Sequence, residues 1–114
     1  MTRLLKYVLW LAVLTALVFA LWPQAPDAPG SPSDKLQHFT AFFTLAVLGG
    51  LAYPRLPLLR LLVILSVFGA LIEVAQLFPA INRYADSADL LVDVIAATLG
   101  VLVVALVRRR WRRQ

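Results

Sequence analysis

The chain has 114 residues, of which 61% are hydrophobic and only 15% are charged, and its formal net charge is +5. A soluble domain carries about a quarter charged residues, and a chain this small cannot hide so much apolar surface inside itself. The composition therefore excludes an ordinary soluble domain and predicts one compact membrane domain. The absence of cysteine excludes disulfides, thiolate catalysis and cysteine-ligated zinc.

The first apolar run, residues 4–22, allows two interpretations. Basic residues before it and "VFA" near its end resemble a cleavable secretory signal. The run is longer than the apolar core of a usual signal, and the bulky Leu21 and Trp22 follow at once, so we favour a retained anchor. Four prolines and a glycine in "PQAPDAPGSPS" then predict an extended loop. Residues 1–32 are thus expected to form an anchor helix and an extracytoplasmic linker.

Three further apolar runs follow, at residues 36–53, 56–78 and 88–107. Each of the four runs has about the 20 residues that cross a ~30 Å hydrocarbon core as a helix. Backbone groups in lipid must satisfy their own hydrogen bonds, which favours helices over irregular chain. The sequence therefore predicts an all-α fold, an integral membrane four-helix bundle.

The distribution of basic residues predicts the orientation of this bundle. Nine of the eleven lysines and arginines lie on the side that holds the N-terminus, the turn "YPRLPLLR" at 53–60 and the C-terminus, and only Lys35 and Arg83 lie on the other. Cytoplasmic loops carry the excess of Lys and Arg, so both termini are expected to be cytoplasmic. Residues 108–114 are then a basic cytoplasmic tail that anchors the chain to the membrane and does not bind nucleic acid.

Polar residues gather at the opposite, outer end of the predicted bundle. Asp34 and His38 are four residues apart, as are Asp89 and Asp93, so each pair shares one helix face. Charges that face lipid cost about 2.5 kcal/mol or more each, which favours their convergence inside the bundle. The predicted binding cluster comprises Asp34, Lys35, His38, Glu73, Gln76, Arg83, Asp86, Asp89 and Asp93.

Several roles for this cluster stay open from the residues alone. Glu73 is either a structural clamp between helices or a functional group. No nucleophile motif, paired-histidine metal signature or glycine-rich phosphate loop occurs, so no catalytic residue is assigned; His38 as a general acid or base is the enzyme alternative. A cation- or proton-coupled transporter using Glu73 and Asp93 lacks a polar path through the cytoplasmic half. No cofactor is expected, although His38 with Glu73, Asp89 and Asp93 is compatible with a divalent cation.

Three motifs resemble those of the VanZ-like family of small bacterial membrane proteins. They are "SDKLQHFTAFF", "LIEVAQLF" and "RYADSADLLVDVIAATLG", in order, and the resemblance covers residues 33–107 as a three-helix membrane core. It implies a bacterial inner-membrane location and a link, through the family's namesake, to low-level teicoplanin resistance. It also implies functional positions at Asp34, Lys35, His38, Phe39, Phe42, Glu73, Gln76, Arg83 and Asp89. Two positions depart from the family pattern, Asp93 in place of Asn and Ala96 in place of Gly.

Residues and resemblance together predict a binding protein of the cell envelope. Lysine, histidine and arginine beside carboxylates suit a phosphate-bearing or amphiphilic headgroup. The expected ligand is an envelope lipid headgroup, a lipid-linked cell-wall precursor or a glycopeptide-type amphiphile. The lipid bilayer is the expected partner, no nucleic acid is, and a homo-oligomer is compatible with the sequence.

Overall fold

The computed structural model describes residues 2–21, 32–78 and 87–113. They form four α-helices: α1 (Thr2–Leu21), α2 (Pro32–Ala52), α3 (Leu58–Gln76) and α4 (Ser87–Arg113). No strand occurs within these ranges. The predicted all-α class is therefore confirmed.

Prolines set the junction between α2 and α3. The amides of Tyr53 and Leu56 bond to the carbonyls of Gly49 (3.1 Å) and Tyr53 (3.0 Å), which closes the end of α2. Pro54 has no amide hydrogen with which to continue the helix. Pro57, at φ −60°, then precedes the first turn of α3 in a conformation that leads into a helix. The short turn places α3 antiparallel to α2.

Three of the four helices are long and apolar enough to cross a membrane: α1, α3 and residues 88–112 of α4. Many large apolar side chains on their outer faces are exposed, including Leu59 (73%), Tyr7 (69%) and Leu4 (66%). The prediction of four membrane-crossing runs is therefore supported for three. The segment α2 is less apolar because its first turns carry Lys35, Gln37 and His38.

The core of the bundle is the interface between α2 and α4. Its buried residues are mostly small: Ala46 and Ala52 on α2 face Ala96, Ala97 and Val104 on α4. A β-carbon added at Gly100 would lie 2.6 Å from Ala46 Cβ, and one added at Gly50 would lie 2.5 Å from Val104 Cγ1. Both distances are far below van der Waals contact, so glycine is required at these two positions for the helices to approach so closely.

The helices alternate in direction, and α1 is the least buried of them. Only Leu9 among the residues of α1 is buried. Near its start, Trp10 Nε1 donates to the hydroxyl of Tyr53 (3.0 Å), and Lys6 lies 4.9 Å from the centre of the Tyr53 ring. Near its end, the carbonyl of Ala20 accepts a hydrogen bond from Gln76 Nε2 (2.8 Å). The starts of α1 and α3 and the ends of α2 and α4 therefore share one end of the bundle.

The basic C-terminal segment is a continuation of α4 and not a separate tail. The apolar run ends at Val107, but the helix continues to Arg113, for about 40 Å in total. Arg108 turns inward, and its Nη atoms donate to the carbonyls of Leu56 (2.9 Å), Gly50 (2.9 Å) and Tyr53 (3.0 Å). A helix leaves its last carbonyls without internal partners, so Arg108 caps α2 and fixes α4 against the turn.

Candidate functional site

The first turns of α2 carry Lys35 and His38 toward α4. Pro32 starts the helix, in agreement with the preference of proline for the first turn. Lys35 and His38 are three residues apart and therefore neighbours on one face. Phe42, one turn beyond His38, is 2% exposed, and its ring lies 5.9 Å from that of Phe68 on α3.

The first two turns of α4 supply the carboxylates of the site. Asp89 lies in the first turn, where a negative charge is favoured by the helix dipole. Asp93 lies one turn deeper, on the same face. Dipole and capping effects fall off within the first turn and do not account for a buried acid at this depth. The burial of Asp93 is instead explained by its contact with His38 on α2.

The four side chains form one connected chain across the α2–α4 interface. Lys35 Nζ lies 2.7 Å from Asp89 Oδ1. Asp89 Oδ2 lies 3.6 Å from His38 Nε2, a distance for an electrostatic contact but not a hydrogen bond. His38 Nδ1 lies 2.8 Å from Asp93 Oδ1. With Asp93 ionised, its oxygen only accepts, so Nδ1 carries the proton of that bond.

Lys35 at one end of this chain is partly exposed, and the other three members are buried. The side chain of Lys35 is 26% exposed, His38 is 8%, Asp89 2% and Asp93 0% exposed. Carboxylates withdrawn from water are costly unless they are paired and hydrogen-bonded. Lys35 and His38 provide that pairing. With His38 protonated, the two positive charges of Lys35 and His38 together balance the two negative charges of Asp89 and Asp93. Lys35 is the member of the chain through which the site meets its surroundings.

On the side of Asp93 that faces α3, a side chain larger than that of glycine fits only if its neighbours shift. A β-carbon added at Gly69 would lie 3.0 Å from Asp93 Oδ2 and 3.3 Å from Leu90 Cδ1. Gly69 therefore lets α3 close over the carboxylate. Glu73 is one helical turn further along the same face of α3 and is half-buried. This placement brings Glu73 to the end of the bundle that holds the site.

Gln76 connects the site end of α3 to α1. Its side chain is 2% exposed, and its amide nitrogen bonds to the carbonyl of Ala20 near the end of α1. The amide oxygen is buried and has no hydrogen-bond partner among the described residues. We expected Gln76 among the binding residues, and its visible contact ties two helices together.

Three predicted site residues, Asp34, Arg83 and Asp86, lie wholly or partly outside the residues that the structure describes. Asp34 lies in the first turn of α2, but its side chain is outside the described residues. Arg83 and Asp86 lie between α3 and α4, outside the described ranges altogether. Their membership of the cluster stays a prediction. Within the described ranges, no group of three or more His, Cys, Asp or Glu side chains is arranged to hold a metal ion.

Sequence reasoning missed the polar contacts at the opposite end of the bundle. It assigned Arg108 to a basic cytoplasmic tail that anchors the chain at the membrane, and it gave no role to Trp10 or Tyr53. The spacing of Ala97, Val101, Val104 and Arg108, at intervals of four, three and four, already puts Arg108 on the buried face of α4. This spacing could have predicted that Arg108 points into the bundle.

Comparison of the chain with family models, with curated proteins and with solved structures gives no match. The resemblance to the VanZ-like family consequently stays a prediction. The arguments for function depend on the geometry of the chain itself.

Proposed function

We propose that this chain is a VanZ-like protein of the bacterial inner membrane, with both termini cytoplasmic, and that its outer polar cluster binds a phosphate-bearing lipid headgroup. The observation that carries the proposal is the Lys35–Asp89–His38–Asp93 chain. A bundle with so little other polarity has no need of two buried carboxylates for stability, since buried ion pairs contribute little or cost free energy. Intramembrane ionisable groups are in general functional.

The ligand class follows from the sign and position of the accessible charge. Lys35 is the most exposed member of the chain, and an ammonium group suits a phosphate. Asp89 holds that ammonium in place at 2.7 Å and is itself held by the imidazole. The surrounding apolar helix faces suit the hydrocarbon part of an amphiphile. A lipid-linked cell-wall precursor, with a diphosphate on a polyprenyl chain, combines both features.

The orientation is supported by the distribution of charge between the two ends of the bundle. The end opposite the site holds Arg108 and the other tail arginines, together with Lys6 and the basic turn before α3. An excess of basic residues is typical of the cytoplasmic side. The site then opens toward the periplasmic or outer face of the membrane.

The test is titration of the detergent-solubilised protein with a polyprenyl diphosphate and with the uncharged polyprenol of the same length. We expect the diphosphate to bind and the alcohol not to bind. Loss of one charged hydrogen bond in Lys35→Gln is expected to weaken diphosphate binding about tenfold to a hundredfold. Equal binding of the two lipids, or an unchanged affinity of Lys35→Gln, would contradict the proposal.

Glu73→Gln and Asp93→Asn separate a charge-dependent site from a structural clamp. We expect Glu73→Gln to stay within about 1 kcal/mol of the parent in stability yet to lose diphosphate binding or a glycopeptide-susceptibility phenotype. Asp93→Asn keeps an acceptor for His38 and matches the residue typical of the family, so it is expected to fold and bind. Loss of binding by Glu73→Gln only when its stability also collapses would favour the clamp.

A second candidate function is hydrolysis of such a headgroup with His38 as acid or base. The 2.8 Å bond from Nδ1 to Asp93 favours it, because such a bond fixes the tautomer of a catalytic imidazole. Against it, Nε2 faces the carboxylate of Asp89 and not an open surface. Release of inorganic phosphate from the polyprenyl diphosphate, abolished in His38→Gln, would establish this function; binding without release favours the binding protein.

A further inference from the structure

A groove opens at the end of the bundle opposite the polar site, between the start of α3 and the end of α4. It encloses about 420 Å³ and is lined by Pro54, Leu58, Ala105, Arg108, Trp111 and Arg112. The continuation of α4 beyond Val107 creates it. Arg108 and Arg112 are four residues apart and share a face, and Ala105 is small enough to leave room above Leu58.

The structure describes no carboxylate beside the two arginines of this groove among residues 2–21, 35–78 and 88–112. Both arginines are cationic, while no aspartate or glutamate occurs in residues 1–26, 35–72 or 94–114. Arg108 uses its Nη atoms to cap α2 through neutral carbonyls, and its buried Nε has no hydrogen-bond partner in the part of the chain that the structure describes. Uncompensated guanidinium groups beside a low-dielectric wall attract an anion from outside.

The walls of the groove distinguish a lipid anion from a soluble one. Leu58, Pro54 and Ala105 are apolar, and Trp111 is 47% exposed beside them. Tryptophan is enriched where a membrane-crossing helix meets the headgroup layer. Basic pockets between such helices, on the side rich in Lys and Arg, accept anionic lipid headgroups. A soluble phosphate would leave the apolar wall uncovered.

We propose that this groove is a binding site for an anionic phospholipid, with the phosphodiester at Arg112 and Arg108 and an acyl chain along Leu58 and Ala105. This site is separate from the polar cluster and takes a bulk membrane lipid in place of a precursor. It would couple the surrounding bilayer to the same arginine that caps α2.

Lipid retention by the detergent-solubilised full chain, measured by native mass spectrometry, tests the proposal. Phosphatidylglycerol and phosphatidylcholine with identical acyl chains are titrated, with glycerol phosphate as a soluble competitor. We expect phosphatidylglycerol to bind at least about fivefold tighter, and glycerol phosphate not to displace it. Equal retention of the two lipids, or displacement by glycerol phosphate, would overturn the proposal.

Two arginine variants with the same change of charge supply the matched control. Arg112→Gln removes a groove residue, whereas Arg110→Gln removes an exposed residue outside the groove. We expect about a fivefold loss of phosphatidylglycerol affinity in Arg112→Gln and a change of less than twofold in Arg110→Gln. Ala105→Leu, which fills the groove without changing charge, is expected to lower retention as well. Equal losses in the two arginine variants, or full retention by Ala105→Leu, would show diffuse attraction and refute a groove site.

Discussion

The contact between His38 and Asp93 gives the most direct quantitative test of the site. The pair is separated by 2.8 Å, and the two residues are 8% and 0% exposed. Hydrogen bonds between membrane helices contribute about 0.6 kcal/mol on average and at most about 1.7, whereas bonds to charged groups contribute about 1.5–3 kcal/mol. The bond between His38 and Asp93 is both a bond between membrane helices and a bond to a charged group, so its free energy should lie where the two ranges overlap. We therefore expect a coupling free energy of about 1.5 kcal/mol.

A double-mutant cycle with His38→Ala and Asp93→Ala measures this coupling. Each single variant is expected to lower the free energy of unfolding by about 3 kcal/mol, because it leaves the other buried polar group without its partner. The double variant should lose about 4.5 kcal/mol, less than the sum of the two. Reversible unfolding in mixed detergent–SDS micelles, followed by far-UV circular dichroism, provides these free energies.

The control cycle pairs His38→Ala with Arg108→Gln. Arg108 lies fifteen residues beyond Asp93 on α4, or about 22 Å along the helix, so its effect should add to that of His38 within about 0.5 kcal/mol. A coupling below about 0.5 kcal/mol for His38 and Asp93 would refute the proposed bond. Equal coupling in both cycles would show that the variants act through the global fold.

Three further predictions concern packing, capping and topology. Gly69→Ala places a β-carbon 3.0 Å from Asp93 Oδ2 and should destabilise the bundle by about 1–2 kcal/mol, although alanine is the better helix former; a more stable variant in the same unfolding assay would contradict the close approach. Arg108→Gln loses hydrogen bonds to carbonyls at the end of α2 and should cost about 2 kcal/mol, with hydrogen exchange rising at that end. In intact cells, a cysteine at Asn82 should be labelled by a membrane-impermeant reagent and one at Arg55 should be protected; the reverse pattern would invert the orientation.

The sequence predicted the helical fold well because apolar run length and proline positions act locally. The turn between α2 and α3 is determined by Pro54 and Pro57, and both are visible in the sequence. The sequence did not show which helices form the core of the bundle. The helix α2, with Lys35 and His38 in its first turns, is not among the three helices apolar enough to cross a membrane, yet it forms the core with α4. Gly50 and Gly100 allow closer packing there than hydropathy indicates.

The candidate site was predictable as a group of residues but not as a set of bonds. Helical spacing put His38, Asp89 and Asp93 on faces that had to meet. The choice of Asp93 as the partner of Nδ1 depends on how far each helix is rotated about its own axis. That rotation depends on the contacts of Gly69 and Ala46 with α4. Differences of a few tenths of an ångström decide whether these contacts fit, and the spacing of residues in the sequence does not reveal them.

Because α1 is weakly buried, substitutions in it affect the polar site less than substitutions in α2 and α4. The bonds described in the Lys35–Asp93 chain come from α2 and α4, while α1 joins the rest through Trp10 at one end and Ala20 at the other. A substitution on the exposed side of α1 then only has to keep that side apolar. That surface tolerates the exchange of one apolar residue for another, whereas Leu9, Trp10 and the closely packed pair α2 and α4 do not.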